Sequence, residues 1–312
     1  MKPLEGTHHI TCITADAPRN VEFYVGLMGL RLVKKSLNQD DPTIYHLFYG
    51  DETGDPGCDL TFFEYPGAAP GRTGAGMIHL IGWRLASTEA LSFWEKRLSD
   101  HGVELERTDT TLRFADFEGL THELRVVDVP DEPLTADHGE IPKEFALQGF
   151  DGARAYTIDP ERSAGLLTET MGMRPIDNTT FESRGARRGS IWAYDVTDQR
   201  GVQGAGSVHH IAWADYPDDH EAWHEQVVDG GMSATPIIDR FYFKSIYYRE
   251  PSGVLFEIAT IGPGFTVDEP LETLGEKLSL PPNYKNLRDE LEAKLTPLPD
   301  IRRLRQGTSA KF

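Results

Sequence analysis

Two histidine doublets and one glutamate have the residue types that metal sites use. The doublets are His8-His9 and His209-His210, each at the start of a short apolar run, and Glu257 interrupts the apolar segment Val254–Ala259. The runs are typical of strands, in which side chains alternate between faces, so only one histidine of each doublet can point into a shared site. Two imidazoles and one carboxylate form the facial set that suits non-haem Fe(II), leaving three positions for substrate and oxygen.

A fourfold repeat of one pattern supplies the elements that must position these residues. Each repeat has a strand, a Pro- or Asp-rich entry, an amphipathic helix, a glycine turn and two or three further strand-like runs, which makes a βαβββ module. Glycine after a helix is expected because it adopts the left-handed conformation readily. The four turn glycines are Gly29, Gly102, Gly172 and Gly231. The sequence therefore predicts an α+β fold with four βαβββ modules.

The modules divide the chain into four parts. We expect two modules in residues 1–130, a linker rich in Pro and Asp in residues 131–147, two modules in residues 148–265, and an extension in residues 266–312. Leu287, Leu291 and Leu295 have helical spacing and predict one packing helix in the extension. The end of the chain, from Arg302, is expected to be frayed.

Composition narrows the classes of partner. The chain has 312 residues and a net charge of −19, which argues against nucleic-acid binding and against docking on anionic membranes. Its two cysteines, Cys12 and Cys58, are too few for a disulfide framework. With no apolar signal segment and no run of membrane-spanning length, the sequence predicts a cytoplasmic protein.

The distance to the glycine turn identifies candidate histidine ligands. His9 lies 20 residues before Gly29, His210 lies 21 before Gly231, and His79 lies 23 before Gly102. In module three the equivalent position is a glycine, which has no side chain to bind metal.

A similar count identifies candidate carboxylates. Glu257 follows Gly253 by four residues, and Glu123 follows Gly119 by four. In module one the same count leads to Thr61. The metal set is His9, His210 and Glu257 if modules one and four share a cleft, and His9, His79 and Glu123 if modules one and two do. Counting alone leaves both sets open, although His122-Glu123-Leu124-Arg125 is also typical of a solvated carboxylate paired with arginine.

Several longer stretches resemble the vicinal oxygen chelate superfamily, closest to its hydroquinone ring-cleaving dioxygenases. The resemblance covers residues 6 to about 265. The stretches that carry it are Gly6–Thr11, Ile44–Leu47, Asp239–Tyr247 and Arg249–Glu257. It implies modules paired into two open mixed-sheet barrels, with modules one and four forming the metal cleft.

The resemblance also implies a ligand set and a reaction. His9, His210 and Glu257 would hold Fe(II), with Mn(II) and Zn(II) as the alternatives, and His8, Arg240 and Tyr247 would have catalytic roles. The implied activity is extradiol-type cleavage of a hydroquinone- or catechol-type diol by O2, in a pocket lined by aromatics such as Phe48, Phe241, Phe243 and Tyr248. Members of the superfamily often self-associate, so a homo-oligomer is compatible with this interpretation.

A different activity of the same superfamily is the main alternative. Glyoxalase-like lyases and isomerases have a fourth protein ligand from the last strand of the first module, where this chain has Thr61 and, nearby, Glu64. A carboxylate ligand there would favour a closed, non-redox metal site. A binding protein without catalysis is a third hypothesis, and the intact ligand set argues against it.

Overall fold

The computed structural model describes residues 1–307 and 312. Within these residues the strands form two eight-stranded mixed sheets, so the predicted α+β fold with paired modules is confirmed. The boundaries at residues 130, 147 and 265 stay predictions. Residues 308–311 of the predicted extension lie outside the described residues.

The first sheet joins modules one and four, the two ends of the repeat. Strands are numbered along the chain. Module one contributes β1 (Thr7–Thr14), β2 (Arg31–Leu37), β3 (Tyr45–Gly50) and β4 (Asp59–Glu64), and module four contributes β13 (Ser207–Asp215), β14 (Ile238–Asp239), β15 (Lys244–Arg249) and β16 (Leu255–Thr260). The sheet order is β14-β15-β16-β13-β1-β4-β3-β2. At its centre β1 pairs antiparallel with β13, and each pairs in parallel with the last strand of its own module.

The second sheet repeats this arrangement with modules two and three. Its strands are β5 (Met77–Leu85), β6 (Leu105–Arg107), β7 (Thr111–Ala115), β8 (Thr121–Val126), β9 (Phe150–Thr157), β10 (Arg174–Pro175), β11 (Thr180–Arg184) and β12 (Gly189–Val196). Their order is β10-β11-β12-β9-β5-β8-β7-β6. Aromatic side chains join the two sheets in one core, where the ring of Trp192 lies edge-on to Trp213 and Phe256.

Helices connect the strands and form much of the extension. They are α1 (Ala17–Val21), α2 (Thr88–Asp100), α3 (Glu161–Gly165), α4 (His220–Asp229), α5 (Arg288–Lys294) and α6 (Ile301–Arg305). Short 3-10 segments occur at Lys143–Phe145, Pro217–Asp219, Phe265–Val267, Leu271–Thr273 and Pro282–Leu287. None of the helices in the described residues has the length and apolar character needed to span a bilayer.

Side-chain caps and glycine turns mark the ends of several helices. Asp16 accepts a hydrogen bond from the backbone N–H of Arg19, and Ser87 accepts one from that of Ala90, so each caps the helix that follows it. The glycines of the four turns all have positive φ values, between +68° and +87°. The expected left-handed terminators are therefore confirmed.

Modules one and three depart from the predicted regular helix. After α1 the chain continues as a π-helix over Glu22–Leu27, and after α3 it does so over Leu166–Thr170. In the first of these, the five consecutive residues from Phe23 to Leu27 are all buried. A periodicity argument based on 3.6 residues per turn cannot anticipate a wider turn that packs so many neighbouring residues against the core.

The extension packs along the edge of the first sheet. The side chain of Lys34 in β2 is fully buried and donates to Asp268 at 2.8 Å, to Glu269 and to the carbonyl of Phe265. Leu291 in α5 is buried, as expected for the predicted packing helix. Because α6 is helical, the expectation of a frayed end from Arg302 is wrong for Arg302–Arg305.

A buried charge cluster at Asp131 yields the first prediction. Its carboxylate accepts hydrogen bonds from Arg84 at 2.6 Å, from Arg184 at 2.7 Å and from the backbone N–H of Gly189 at 3.1 Å. Asp131→Ala removes the nearer carboxylate from the buried Arg84 and leaves Asp151 at 3.6 Å, so we expect a loss of about 3 kcal/mol in the free energy of unfolding, measured by urea denaturation. Asp100→Ala, which breaks an exposed pair with Lys96, should cost less than about 0.5 kcal/mol; equal effects would contradict the assignment.

The same cluster predicts a pH dependence. Burial raises the pKa of Asp131, but the hydrogen bonds from Arg184 and Arg84 outweigh burial and bring it down to about 2. A carboxyl whose pKa is lowered on folding stabilises the protein above its unfolded value of about 4. That contribution should be lost as the pH falls towards 2, and Asp131→Ala should lack this part of the acid destabilisation.

Candidate metal centre

Three central strands of the first sheet bring His9, His210 and Glu257 together. His9 lies in β1 opposite Ala212 of β13, and Ala212 lies beside Glu257 of β16. The Nε2 atoms of the two histidines are 3.3 Å apart, and Glu257 Oε2 lies 3.2 Å from His9 Nε2 and 2.9 Å from His210 Nε2. All three side chains are buried. The first of the two candidate sets therefore converges on one point.

The chemistry of Glu257 indicates a cation at this point. Its side chain is fully buried, and neither carboxylate oxygen has a hydrogen bond of normal geometry despite the nearby imidazoles. Burial alone raises the pKa of this carboxyl, but His9 and His210 outweigh burial, so the pKa lies well below its usual range. A buried carboxylate without hydrogen bonds is costly unless it is paired or coordinates a metal.

The separations between the donor atoms fit a single ion. Bonds of about 2.1 Å place two donors about 3.0 Å apart at right angles and about 3.4 Å apart at tetrahedral angles. The observed separations, 2.9 to 3.3 Å, lie within or close to this range. One divalent ion could bind all three atoms without movement of the strands.

His8 lies behind His9 and determines which nitrogen of His9 carries hydrogen. His8 Nε2 lies 3.2 Å from the carbonyl oxygen of Thr260, which can only accept, so Nε2 of His8 carries the hydrogen. Burial, then His9, lowers the pKa of His8 to about 3, so the ring is neutral and its Nδ1 is an acceptor. His9 Nδ1, 3.0 Å away, must then donate. The lone pair of His9 Nε2 is thus directed at the candidate metal position.

The second doublet has the same arrangement. His209 Nδ1 lies 2.7 Å from His210 Nδ1, and burial lowers the pKa of His209 to about 4. In both doublets, Nδ1 of the first histidine therefore contacts Nδ1 of the second. Alternation along a strand would turn neighbouring side chains apart, but β1 has register irregularities against β13 at Thr7/His9 and at Thr11/Cys12.

The alternative ligand set is not assembled. His79 and Glu123 lie in the second sheet, away from His9. His79 Nε2 contacts Asp195 at 2.8 Å, and Glu123 accepts hydrogen bonds from Arg113 at 2.8 Å and from Arg125. The interpretation of Glu123 as an Arg-paired carboxylate is confirmed, although the residue is buried rather than solvated.

The position that corresponds to Glu257 in module one is Thr61. Thr61 lies beside Thr11 in β1 as Glu257 lies beside Ala212 in β13. Glu64 is directed elsewhere, because its Oε1 accepts hydrogen bonds from the backbone N–H of Ala17 and from Thr296. Among the described residues, the acidic and histidine donors of this cluster are the three named above, so a fourth carboxylate ligand has no support.

A cavity of about 310 Å³ opens above these residues. Arg240 and Tyr247 form part of its wall, and Arg240 Nε donates to the Tyr247 hydroxyl at 3.3 Å. The Arg240 guanidinium also donates to both carboxylate oxygens of Asp40, at 3.2 and 3.1 Å. Burial, followed by Glu257, raises the pKa of Tyr247, so its phenol stays protonated and can donate into the cavity.

The cavity lining matches the sequence expectation in part. Phe48 and Phe243 line it, whereas Phe241 and Tyr248 do not. Tyr248 is buried in the core because it alternates with Tyr247 along β15. The lining also includes polar residues that were not predicted from the sequence, among them His46, His209, Gln39 and Asp40. The doublet itself was a signal for His209, but Gln39 and Asp40 lie in a connecting segment without a motif.

Comparison with known proteins places the chain in a family. Residues 6–120 and 149–258 match the family described as the Glyoxalase/Bleomycin resistance protein/Dioxygenase superfamily. The chain is 38% identical over 317 residues to the Bacillus subtilis (strain 168) protein named "Putative ring-cleaving dioxygenase MhqA", covering 95% of this chain and 99% of the relative. It is 32% identical over 307 residues to the chlorohydroquinone/hydroquinone 1,2-dioxygenase of Sphingobium indicum, covering 92% and 95%.

Solved structures agree with this assignment. The crystal structure of a Bacillus subtilis protein described as a "putative dioxygenase" is 39% identical, with a TM-score of 0.89, and the match covers 96% of this chain and 99% of that one. Maize (Zea mays) glyoxalase I, at 14% identity and a TM-score of 0.58 over 82% of this chain and 92% of that one, shares the fold alone. The chain belongs to the Glyoxalase/Bleomycin resistance protein/Dioxygenase superfamily, and its relatives are named as ring-cleaving dioxygenases.

The second prediction tests the candidate metal ligands. Glu257→Gln removes the negative charge from the donor cluster, so metal content after reconstitution and dialysis should fall from about one ion per chain to near zero, as measured by elemental analysis. Glu123→Gln is the matched control, because it changes the equivalent residue of module two and should leave metal content unchanged. Full metal occupancy in Glu257→Gln would refute its assignment as a ligand.

Proposed function

We propose that this protein is an Fe(II)-dependent, extradiol-type dioxygenase that uses O2 to open the ring of a hydroquinone- or catechol-type diol. The observation that carries the proposal is a cluster of two histidines and one glutamate at the base of an aromatic cavity, in which the described residues supply no carboxylate as a fourth ligand. A three-ligand set leaves positions for both substrate and oxygen. The names of the curated relatives support ring cleavage.

His9, His210 and Glu257 are the residues that would hold the metal. When bound, Fe(II) would supply the redox and Lewis-acid chemistry that the reaction of an aromatic ring with O2 requires. Both atoms of O2 enter the ring-opened product, so no separate reductant is needed. His8 contributes by holding His9 in the tautomer whose Nε2 is free to bind.

In this proposal Tyr247 donates a proton to the substrate or to O2, and Arg240 stabilises the negative charge that develops there. Tyr247 lies beside Glu257 across the β15–β16 pair, so its hydroxyl is close to the proposed metal ligands. Since that hydroxyl accepts from Arg240 Nε, its own hydrogen can be donated to an oxygen atom of the substrate or of O2. The permanent charge of the guanidinium stabilises negative charge that develops on the same oxygen.

The cavity fits a small, uncharged aromatic ring. A cavity of about 150 Å³ is enough to hold benzene, so about 310 Å³ accommodates one ring with its hydroxyls and small substituents. Phe48, Phe63 and Phe243 supply apolar walls. Because Asp40 already pairs with Arg240, the guanidinium is less available to an additional carboxylate on the ring.

The third prediction tests the reaction. After anaerobic reconstitution with Fe(II), we expect O2 uptake with methylhydroquinone, chlorohydroquinone or catechol, at one O2 per diol consumed and with formation of a ring-opened product. Uptake should disappear when the metal is removed and return when Fe(II) is added. Absence of uptake with every diol, in protein shown to retain one Fe(II) per chain, would contradict the proposal.

The fourth prediction concerns the proton donor. Tyr247→Phe should lower kcat by about a hundredfold, the usual effect of removing one positioned donor, and should leave metal content unchanged. Tyr156→Phe is the control, because Tyr156 stacks on His79 in the second sheet. If both variants kept the full kcat, Tyr247 would have no role in proton transfer.

A further inference from the structure

His46 is a polar group of the cavity that the proposed mechanism does not use. It lies in β3, on the module-one side of the cavity, whereas Arg240 and Tyr247 come from module four. Its ring is held between Phe48 and Phe63, with centroid distances of 3.9 and 4.4 Å. This packing fixes the plane of the imidazole.

Two threonines determine the tautomer of His46. Its Nε2 lies 2.9 Å from Thr61 Oγ1, and Thr61 Oγ1 donates to Thr11 Oγ1 at 2.8 Å. A hydroxyl has one hydrogen, so Thr61 must accept from His46, and Nε2 of His46 carries the hydrogen. In the neutral ring Nδ1 is then an acceptor, and none of the described residues forms a hydrogen bond with it.

The surroundings of His46 support a neutral ring. Burial is the largest cause that lowers its pKa well below the usual value for histidine. Thr61 takes the position that corresponds to Glu257. A threonine hydroxyl therefore lies where a fourth metal ligand would otherwise lie, and this hydroxyl orients His46. The result is a hydrogen-bond acceptor of fixed orientation on a residue that lines the cavity.

We propose that His46 is a substrate-binding residue whose Nδ1 accepts a hydrogen bond from the ring hydroxyl that lies away from the metal. This inference rests on the proposed function and narrows the substrate from hydroquinone- or catechol-type diols to hydroquinones. Strand β4 separates β3 from β1, so His46 and His9 lie on strands about 10 Å apart. Hydroxyls on adjacent carbons would both lie at the metal, whereas a ring with hydroxyls at opposite ends can contact the metal and His46 together. The site therefore selects hydroquinones over catechols.

Anaerobic binding to the Fe(II)-loaded protein tests this inference without requiring ring cleavage. The two probes are hydroquinone and 4-fluorophenol, which keeps one hydroxyl and replaces the other with a group of similar size that cannot donate. The wild-type protein should bind hydroquinone about tenfold more tightly, the effect expected of one neutral hydrogen bond. His46→Phe should remove this preference, with affinity for 4-fluorophenol and metal content unchanged.

Thr61→Val is the second variant and leaves His46 in place. Without the threonine hydroxyl the tautomer is no longer fixed, so the preference for hydroquinone should fall only in part, and Thr61→Val should have no further effect in the His46→Phe background. A wild-type protein without the preference, or equal weakening of both probes in His46→Phe, would overturn the inference. Catechol that bound as tightly as hydroquinone would also do so.

The two proposals can fail separately. A preference for hydroquinone that depends on His46, in a protein that takes up no O2, would support the binding role and reject the dioxygenase. Oxygen uptake with an unchanged preference in His46→Phe would support the dioxygenase and reject the role of His46. In turnover, the inferred role predicts a raised KM for hydroquinone in His46→Phe with a smaller change in kcat.

Discussion

The antiparallel pairing of β1 with β13 is the interaction on which the candidate site depends. It places His9 opposite Ala212 and Thr11 opposite His210, which brings the Nε2 atoms of two histidines from modules one and four to 3.3 Å from each other. A slip of one residue in this register would turn the side chains of one strand to the opposite face of the sheet. The parallel neighbours β4 and β16 then decide what lies beside Thr11 and Ala212, which are Thr61 on one side and the carboxylate of Glu257 on the other.

The proposed roles of His9 and His46 both depend on a neighbouring group that fixes the tautomer of the imidazole. A group that can only accept, the carbonyl of Thr260, fixes His8 and through it the free nitrogen of His9. A hydroxyl whose hydrogen is already committed, that of Thr61, fixes the free nitrogen of His46. Buried hydrogen-bond chains are costly when incomplete, and here each chain ends in one lone pair, on His9 Nε2 and on His46 Nδ1. The orientation is therefore set before any ligand arrives.

The sequence was sufficient for the modules and for a short list of ligands, because glycine turns and histidine doublets are local signals. It could not decide from residue counts whether His210 or His79 joins His9, since that choice depends on which modules share a sheet. The resemblance to a known family favoured the set that the structure brings together. The environment of His46 was out of reach for a similar reason: Thr61 and Thr11 are far apart in sequence and meet only through the β1–β4 register. The π-helical turns and the Asp40–Arg240 pair likewise depend on tertiary packing.

The nested pairing of modules has a consequence for the order in which the protein is made. The second sheet uses a continuous segment, from β5 to β12, so it can form while the chain is still emerging from the ribosome. The first sheet needs both ends, and contacts between residues so distant in sequence form slowly. Its donor atoms meet only after β16 has been synthesised. We therefore expect metal loading to follow translation rather than accompany it, with the early-formed half serving as the template on which the cleft closes.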